Sequence, residues 1–148
     1  MATIPKWLHP AIDNAFPNHV CLIGTVHKNG YAQITPRGST QVYDDHHISL
    51  WERGRGSTNA HFENGTKVTV YFGDFAWREK GLPIGGIARL YGTASVHKSG
   101  PVYEKVWERL IPPEREWDKE KKGWAILIKI ERAEDLLGQA LKHELEAG

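Results

Sequence analysis

The chain has 148 residues, 40% of them hydrophobic and 25% charged, a composition that fits one globular domain with one core. Lys and Arg number 19 against 18 Asp and Glu, and the formal net charge of +1 argues against nucleic acid or an anionic membrane as partner, so anion binding must be local. Cys21 is the only cysteine, which excludes an intrachain disulfide and any two-cysteine zinc site.

Residues 8–16 read as a short helix, with Pro10 in its first turn and Pro17 limiting it. Val20 to Val26 reads as a strand in which Cys21 is a small buried hydrophobe. Asn29-Gly30 is a strong hairpin signal, because both residues accept positive φ, and Tyr31 to Thr35 returns as the next strand. Pro36 and Gly38 predict a bend near Arg37, after which Ser39 to Tyr43 continues extended. A polar turn over 44–47 leads into the strand Ile48 to Trp51. Ser57 or Thr58 is placed to cap a short helix that Asn64-Gly65 would end. Thr66 to Phe72 alternates strongly and reads as a strand, residues 73–85 as an irregular loop, and Gly86 to Val96 as a long strand bent at Gly92. Pro101 opens a helix with the apolar stripe Val102, Val106, Leu110. Trp124 to Ile130 is the last strand, and the tail from Ala133 to Glu146 reads as a solvated helix.

This order predicts a mainly β chain, a single domain over 1–148: an antiparallel barrel of about six strands with short helices at its corners. Long helices do not alternate with the strands, which disfavours a doubly wound fold. No apolar run approaches the ~18 residues of a membrane span, and the first residues carry no stretch of signal-peptide length. The expectation is a cytoplasmic protein.

The segment from Thr35 to Asn64 carries the chemistry. Antiparallel pairing brings Arg37 towards the basic turn Arg53-Gly54-Arg55-Gly56-Ser57-Thr58. Its glycines allow close backbone approach, and a helix starting near Ser57 adds orphan N–H donors. Guanidiniums, hydroxyls and a helix start together suit a phosphate monoester. Taken alone, such a turn is more often a solvated surface turn with a capping serine. Neither the Walker spacing nor the dinucleotide fingerprint is present.

From Val20 to Val96 the chain resembles the FMN-binding split-barrel superfamily, specifically the pyridoxamine 5'-phosphate oxidase-like proteins. The resemblance rests on an ordered set: Cys21-Leu22-Ile23-Gly24-Thr25-Val26, the Asn-Gly hairpin, and Ala32-Gln33-Ile34-Thr35-Pro36-Arg37. The Asp-Asp turn, Ile48-Ser49-Leu50-Trp51, the basic turn into Ala60 to Val68, and Gly92-Thr93-Ala94 complete it. It implies a split barrel and a homodimer with FMN at the subunit interface. It implies phosphate contacts from Arg37 and Arg55, with Arg53 at a hydroxyl-bearing position of the pattern. Ser39 and Thr40 would run along the isoalloxazine edge, and Trp51 closes the strand leading into the turn. Gly56, Ser57 and Thr58 join the set on local geometry, and Trp77 is expected to reach the partner's flavin. Relatives that use other ligands leave a deazaflavin or FAD as alternative cofactors.

The sequence departs from the oxidase itself. The lysine expected five residues after the strand arginine is Val42 here, and the oxidase's C-terminal substrate segment has no counterpart. Vitamin B6 oxidation is therefore not expected. The expected activity is flavin-dependent oxidoreduction of a small conjugated substrate, and the alternative is a non-enzymatic flavin carrier of the same fold. No catalytic side chain and no metal site is legible. His46-His47 beside Asp44-Asp45 reads as a polar hairpin, and Glu104, Glu108, Glu114 and Glu116 read as a solvated helix face.

Overall fold

The computed structural model describes residues 2–54 and 62–145. A 3-10 turn, Lys6–Leu8, runs into α1 (His9–Asp13), which ends where the Asn14 backbone and side-chain amides both donate to the Pro10 carbonyl. The strands are β1 (Leu22–Val26), β2 (Ala32–Pro36), β3 (Gln41–Asp44), β4 (His47–Glu52), β5 (Lys67–Gly73), β6 (Ile87–His97) and β7 (Trp124–Glu134). Between β6 and β7 lie α2 (Pro101–Arg109) and α3 (Pro112–Glu116). The strands form one seven-stranded sheet in the order β2-β1-β5-β6-β7-β4-β3, with every neighbouring pair antiparallel. The count exceeds six because the extended stretch from Tyr31 to Tyr43 breaks at Arg37–Thr40 into β2 and β3.

That break explains the barrel. β2 and β3 are the two edges of the sheet, yet only Arg37 to Thr40 separate them in the chain. Five residue steps reach at most about 18 Å. Seven strands laid flat would put the edges about 29 Å apart. The sheet must curl until its edges nearly meet, and the β2–β3 link spans the split.

Alternation fills the interior. Val68, Val70 and Phe72 of β5 face inwards with Leu90 of β6, Ile126 and Ile128 of β7, and Ile48 and Leu50 of β4. Ile4, Leu8 and Ile12 of the N-terminal segment join this core. β4 is buried on both faces, because Trp51 packs outwards against Val106, Leu110 and Ala125 beneath α2. β6 bends at Gly92, where the register with β7 shifts. A Cβ there would lie 2.3 Å from the Lys129 carbonyl oxygen, so only glycine lets the strands approach this closely.

The expected C-terminal helix is absent from the described residues. β7 instead runs on to Glu134, because Ala133 and Glu134 pair with Leu90 and Arg89 of β6. The Asp135 carboxylate then accepts hydrogen bonds from the Leu137 and Gln139 amides, a local turn that competes with helix, and Leu141 folds back onto Ala133. In the 73–85 loop a 3-10 turn forms over Phe75–Glu79, capped by Asp74 through the Ala76 amide.

Candidate functional site

The link that closes the barrel also builds the candidate site. After Pro36 ends β2, the Arg37 amide bonds the Cys21 carbonyl, and the Thr40 amide and hydroxyl both bond the Arg37 carbonyl. The Ser39 hydroxyl accepts from the Trp51 amide at 3.1 Å and reaches the Trp51 carbonyl at 3.4 Å. The hydroxyls of Ser39 and Thr40 thus fasten the link to itself and to β4.

Arg37 projects beside the end of β4, where Glu52 is almost fully buried. The Arg37 guanidinium donates to Glu52 Oε2 at 2.7 Å, and the Gly54 amide donates to Oε1 at 2.9 Å. A buried carboxylate needs such partners, and Glu52 ties the link to the basic turn through both oxygens. Arg37 Nε is buried and has no hydrogen-bond partner among the described residues. Glu52 was not singled out from the sequence. A charged residue ending an otherwise apolar strand, across the sheet from a lone arginine, was the available signal.

Around this pair opens a cleft of about 330 Å³, walled by Arg37, Ser39, Trp51, Arg53, Glu114 and Trp117 among others. That volume lies at the small end of ligand pockets. The Arg53 guanidinium lies over the Trp117 ring, 5.3 Å from its centroid. Trp51 is buried, and its indole donates to Asp118 Oδ2 at 2.7 Å. Burial alone would raise the Asp118 carboxyl; hydrogen bonds from Trp51, Lys122 and Gly123 and the charge of Arg53 outweigh it and hold the group below its usual range. Glu114, expected on a solvated face, is only 6% exposed. The cause is the short helix α3, which turns its carboxyl down over Gly38: a Cβ on Gly38 would lie 2.7 Å from Glu114 Oε1. Burial raises the Glu114 carboxyl, and the charges of Arg53 and Arg37 only partly offset this. Glu104 and Glu116 do lie on exposed surface, paired with Lys121 and Lys119.

Arg37, Ser39, Trp51 and Arg53 therefore share one cleft wall, with Thr40 just behind it. Arg55, Gly56, Ser57 and Thr58 lie outside the described residues. Trp77 sits elsewhere, stacked on Trp7 at 5.8 Å and under Lys80.

A second feature lies on the outer face of β2, β1, β5 and β6. A largely apolar groove of about 660 Å³ is lined by Leu22, Val26, Ile34, Tyr71 and Tyr91 among others. Val26 and Ile34 are exposed, and one rim carries Tyr91, whose hydroxyl donates to Glu134 at 2.6 Å. The groove and the cleft adjoin: Leu22 lines the groove, and its cross-strand partner Pro36 lines the cleft.

A family model described as pyridoxamine 5'-phosphate oxidase matches residues 8–135. The chain belongs to the pyridoxamine 5'-phosphate oxidase family. Among solved structures, this family member is similar to HupZ of Group A Streptococcus, at 24% identity over 94% of this chain and 98% of that chain, with a TM-score of 0.63. It is similar to a Lactobacillus delbrueckii protein named as a candidate pyridoxamine 5'-phosphate oxidase, at 24% identity over 83% and 89% of the two chains and a TM-score of 0.58. A Syntrophomonas wolfei protein named as FMN-binding matches at 14% identity over 85% and 81%, with a TM-score of 0.52. At these identities the likenesses establish the split-barrel fold. A search of curated proteins finds no significant match. Among the described residues, no helix is long and apolar enough to cross a membrane.

Proposed function

We propose that the chain is an FMN-binding flavoprotein, acting in the cytoplasm as an oxidoreductase on a small conjugated substrate. The phosphate would sit in the cleft between Arg37 and Arg53, with Arg55, Gly56, Ser57 and Thr58 completing the grip. The observation that carries this reading is unspent donor capacity at one cleft wall. Arg37 Nε is buried and unbonded among the described residues, and the Arg53 guanidinium rests on an aromatic face, bearing its charge at the cleft. Family membership and the relative named as FMN-binding support it.

Bound flavin would supply the electron chemistry, accepting and returning a hydride. The chain's own residues bind and orient. Ser39 and Thr40 keep the link rigid, and Glu52 holds Arg37 in place. Val42, where the oxidase pattern has a lysine, is a buried core residue, so that cation is missing from the site. This supports a substrate other than pyridoxamine 5'-phosphate. The apolar groove supports a homodimer, because a second copy seated there would cover Val26 and Ile34 beside the cleft, with flavin at the junction.

A carrier without turnover is favoured by one observation: the polar groups of Ser39, Thr40, Trp51 and Glu52 are all engaged in bonds that hold the fold. The visible spectrum tests binding, with a flavin band expected at about 450 nm after purification or FMN loading. Titration with FAD or a deazaflavin in place of FMN identifies the cofactor. Rapid reduction by a nicotinamide and reoxidation by an acceptor supports the enzyme; tight binding with inert flavin supports the carrier.

A further inference from the structure

The Glu114 carboxyl takes no part in the hydrogen bonding that holds the fold. The residue is 6% exposed and lines the cleft, and its carboxyl makes no hydrogen bond or ion pair with any described residue. Its carboxyl rests against Gly38, on the link that carries Arg37 and Ser39. The charged groups around it come from several elements. Arg37 comes from the β2–β3 link, Glu52 and Arg53 from β4 and its end, and Asp118 from the α3–β7 connection. On its own helix, Arg115 turns away to the Glu108 carbonyl and Glu116 pairs with Lys119. The facing segment around Phe16 and Val20 brings no charge to the cleft.

Among the described residues, Glu52 is already paired to Arg37 and Asp118 to the Trp51 indole, so an ionised Glu114 is the carboxylate lining the cleft that would repel an incoming phosphate. With Glu114 protonated this repulsion is removed, and the carboxyl offers an O–H donor beside the guanidiniums. An unpaired, buried acid is the group from which such a change is least costly.

We propose that Glu114 is a ligand-contacting residue that binds the phosphate group as a neutral acid, so that flavin phosphate enters the cleft together with one proton. The proton comes from solvent, converts the Glu114 carboxylate to the acid, and is then shared in an O–H···O contact with a phosphate oxygen. This inference rests on the proposed FMN site and adds a specificity element to it: a phosphate monoester gains from Glu114, whereas riboflavin, which lacks the phosphate, does not.

The test is calorimetric titration of the full-length protein with FMN near pH 7.5, in two buffers of different ionisation enthalpy. Wild type and Glu114→Gln are compared. Wild type is expected to take up close to one more proton per FMN than Glu114→Gln. Between pH 6 and 8 its affinity should fall relative to the variant, by up to about tenfold per pH unit, the limit for one linked proton. FMN's own phosphate titrates in both proteins and cancels in the comparison. The wild-type measurement with riboflavin, expected to show no uptake, gives a readout independent of the variant. Equal proton uptake by wild type and Glu114→Gln, with FMN bound by both, would overturn the role of Glu114 and leave the FMN site standing. Failure of wild type to bind FMN at any pH would overturn both.

Discussion

Replacing Arg37 by alanine strips Glu52 of a guanidinium held at 2.7 Å, while the carboxylate stays 1% exposed at the end of β4. Removing one partner of a buried ion pair costs about 3–5 kcal/mol, because the remaining charge is left without compensation. Glu52 keeps its bond from the Gly54 amide, and the Arg37 side chain is 15% exposed in the intact protein. Both features place the expected loss at the lower end, about 3 kcal/mol. Urea unfolding at pH 7, followed by circular dichroism and by tryptophan fluorescence, measures it, with coincident transitions as the two-state check. The paired variant Arg37→Met with Glu52→Met should recover to within about 1 kcal/mol of wild type, because well-packed apolar groups replace a buried pair at little cost. A single-variant loss below about 1 kcal/mol, or a double variant no more stable than the single, would refute this account of how the link is held.

Other expectations test separate parts of the structure. Gly92→Ala drives a Cβ into the Lys129 carbonyl and should cost about 1–3 kcal/mol or more in the same unfolding assay. Burial, aided by the charge of Asp13, pushes the Cys21 thiol up to about 12, so iodoacetamide at pH 8 should label it only after denaturation. Glu114, raised in the folded state, contributes stability that is present in acid and lost as pH rises through its folded value. Asp118, lowered in the folded state, contributes stability present at neutral pH and lost as pH falls through its folded value. The urea midpoint of Glu114→Gln should therefore gain on wild type between pH 5 and 7.5, whereas the deficit of Asp118→Asn should stay constant over that range and shrink only as pH falls below about 4. Val26→Asp with Ile34→Asp places charges on the groove and should convert a dimer to a monomer on a sizing column, with little change in monomer stability.

The strands, the Asn29-Gly30 hairpin and the bend at Gly92 were legible because each rests on local chemistry: alternation, positive-φ residues, and a glycine inside a strand. The C-terminal helix was misread because the fate of Ala133 and Glu134 is decided by β6, a partner distant in sequence. The site was half legible. Arg37 and Arg53 do meet at one cleft, as antiparallel pairing predicts. Local pattern could not reveal that Glu52 would occupy Arg37, nor that α3 would fold Glu114 over Gly38. Both carboxylates are buried by tertiary packing, and the alternation of charges in 104–116 looks like any solvated helix face. Trp77 is a similar case: its stacking on Trp7 depends on where the N-terminal segment lies.

FMN titration of wild type against Arg53→Ala, read by quenching of flavin fluorescence, tests most directly whether the cleft of Arg37 and Arg53 holds a flavin phosphate. Saturable binding by wild type, weakened by about 1.5–3 kcal/mol in the variant as for a lost charge-assisted contact, is the predicted result. FMN binding of equal affinity in both proteins, or none in wild type, would contradict it.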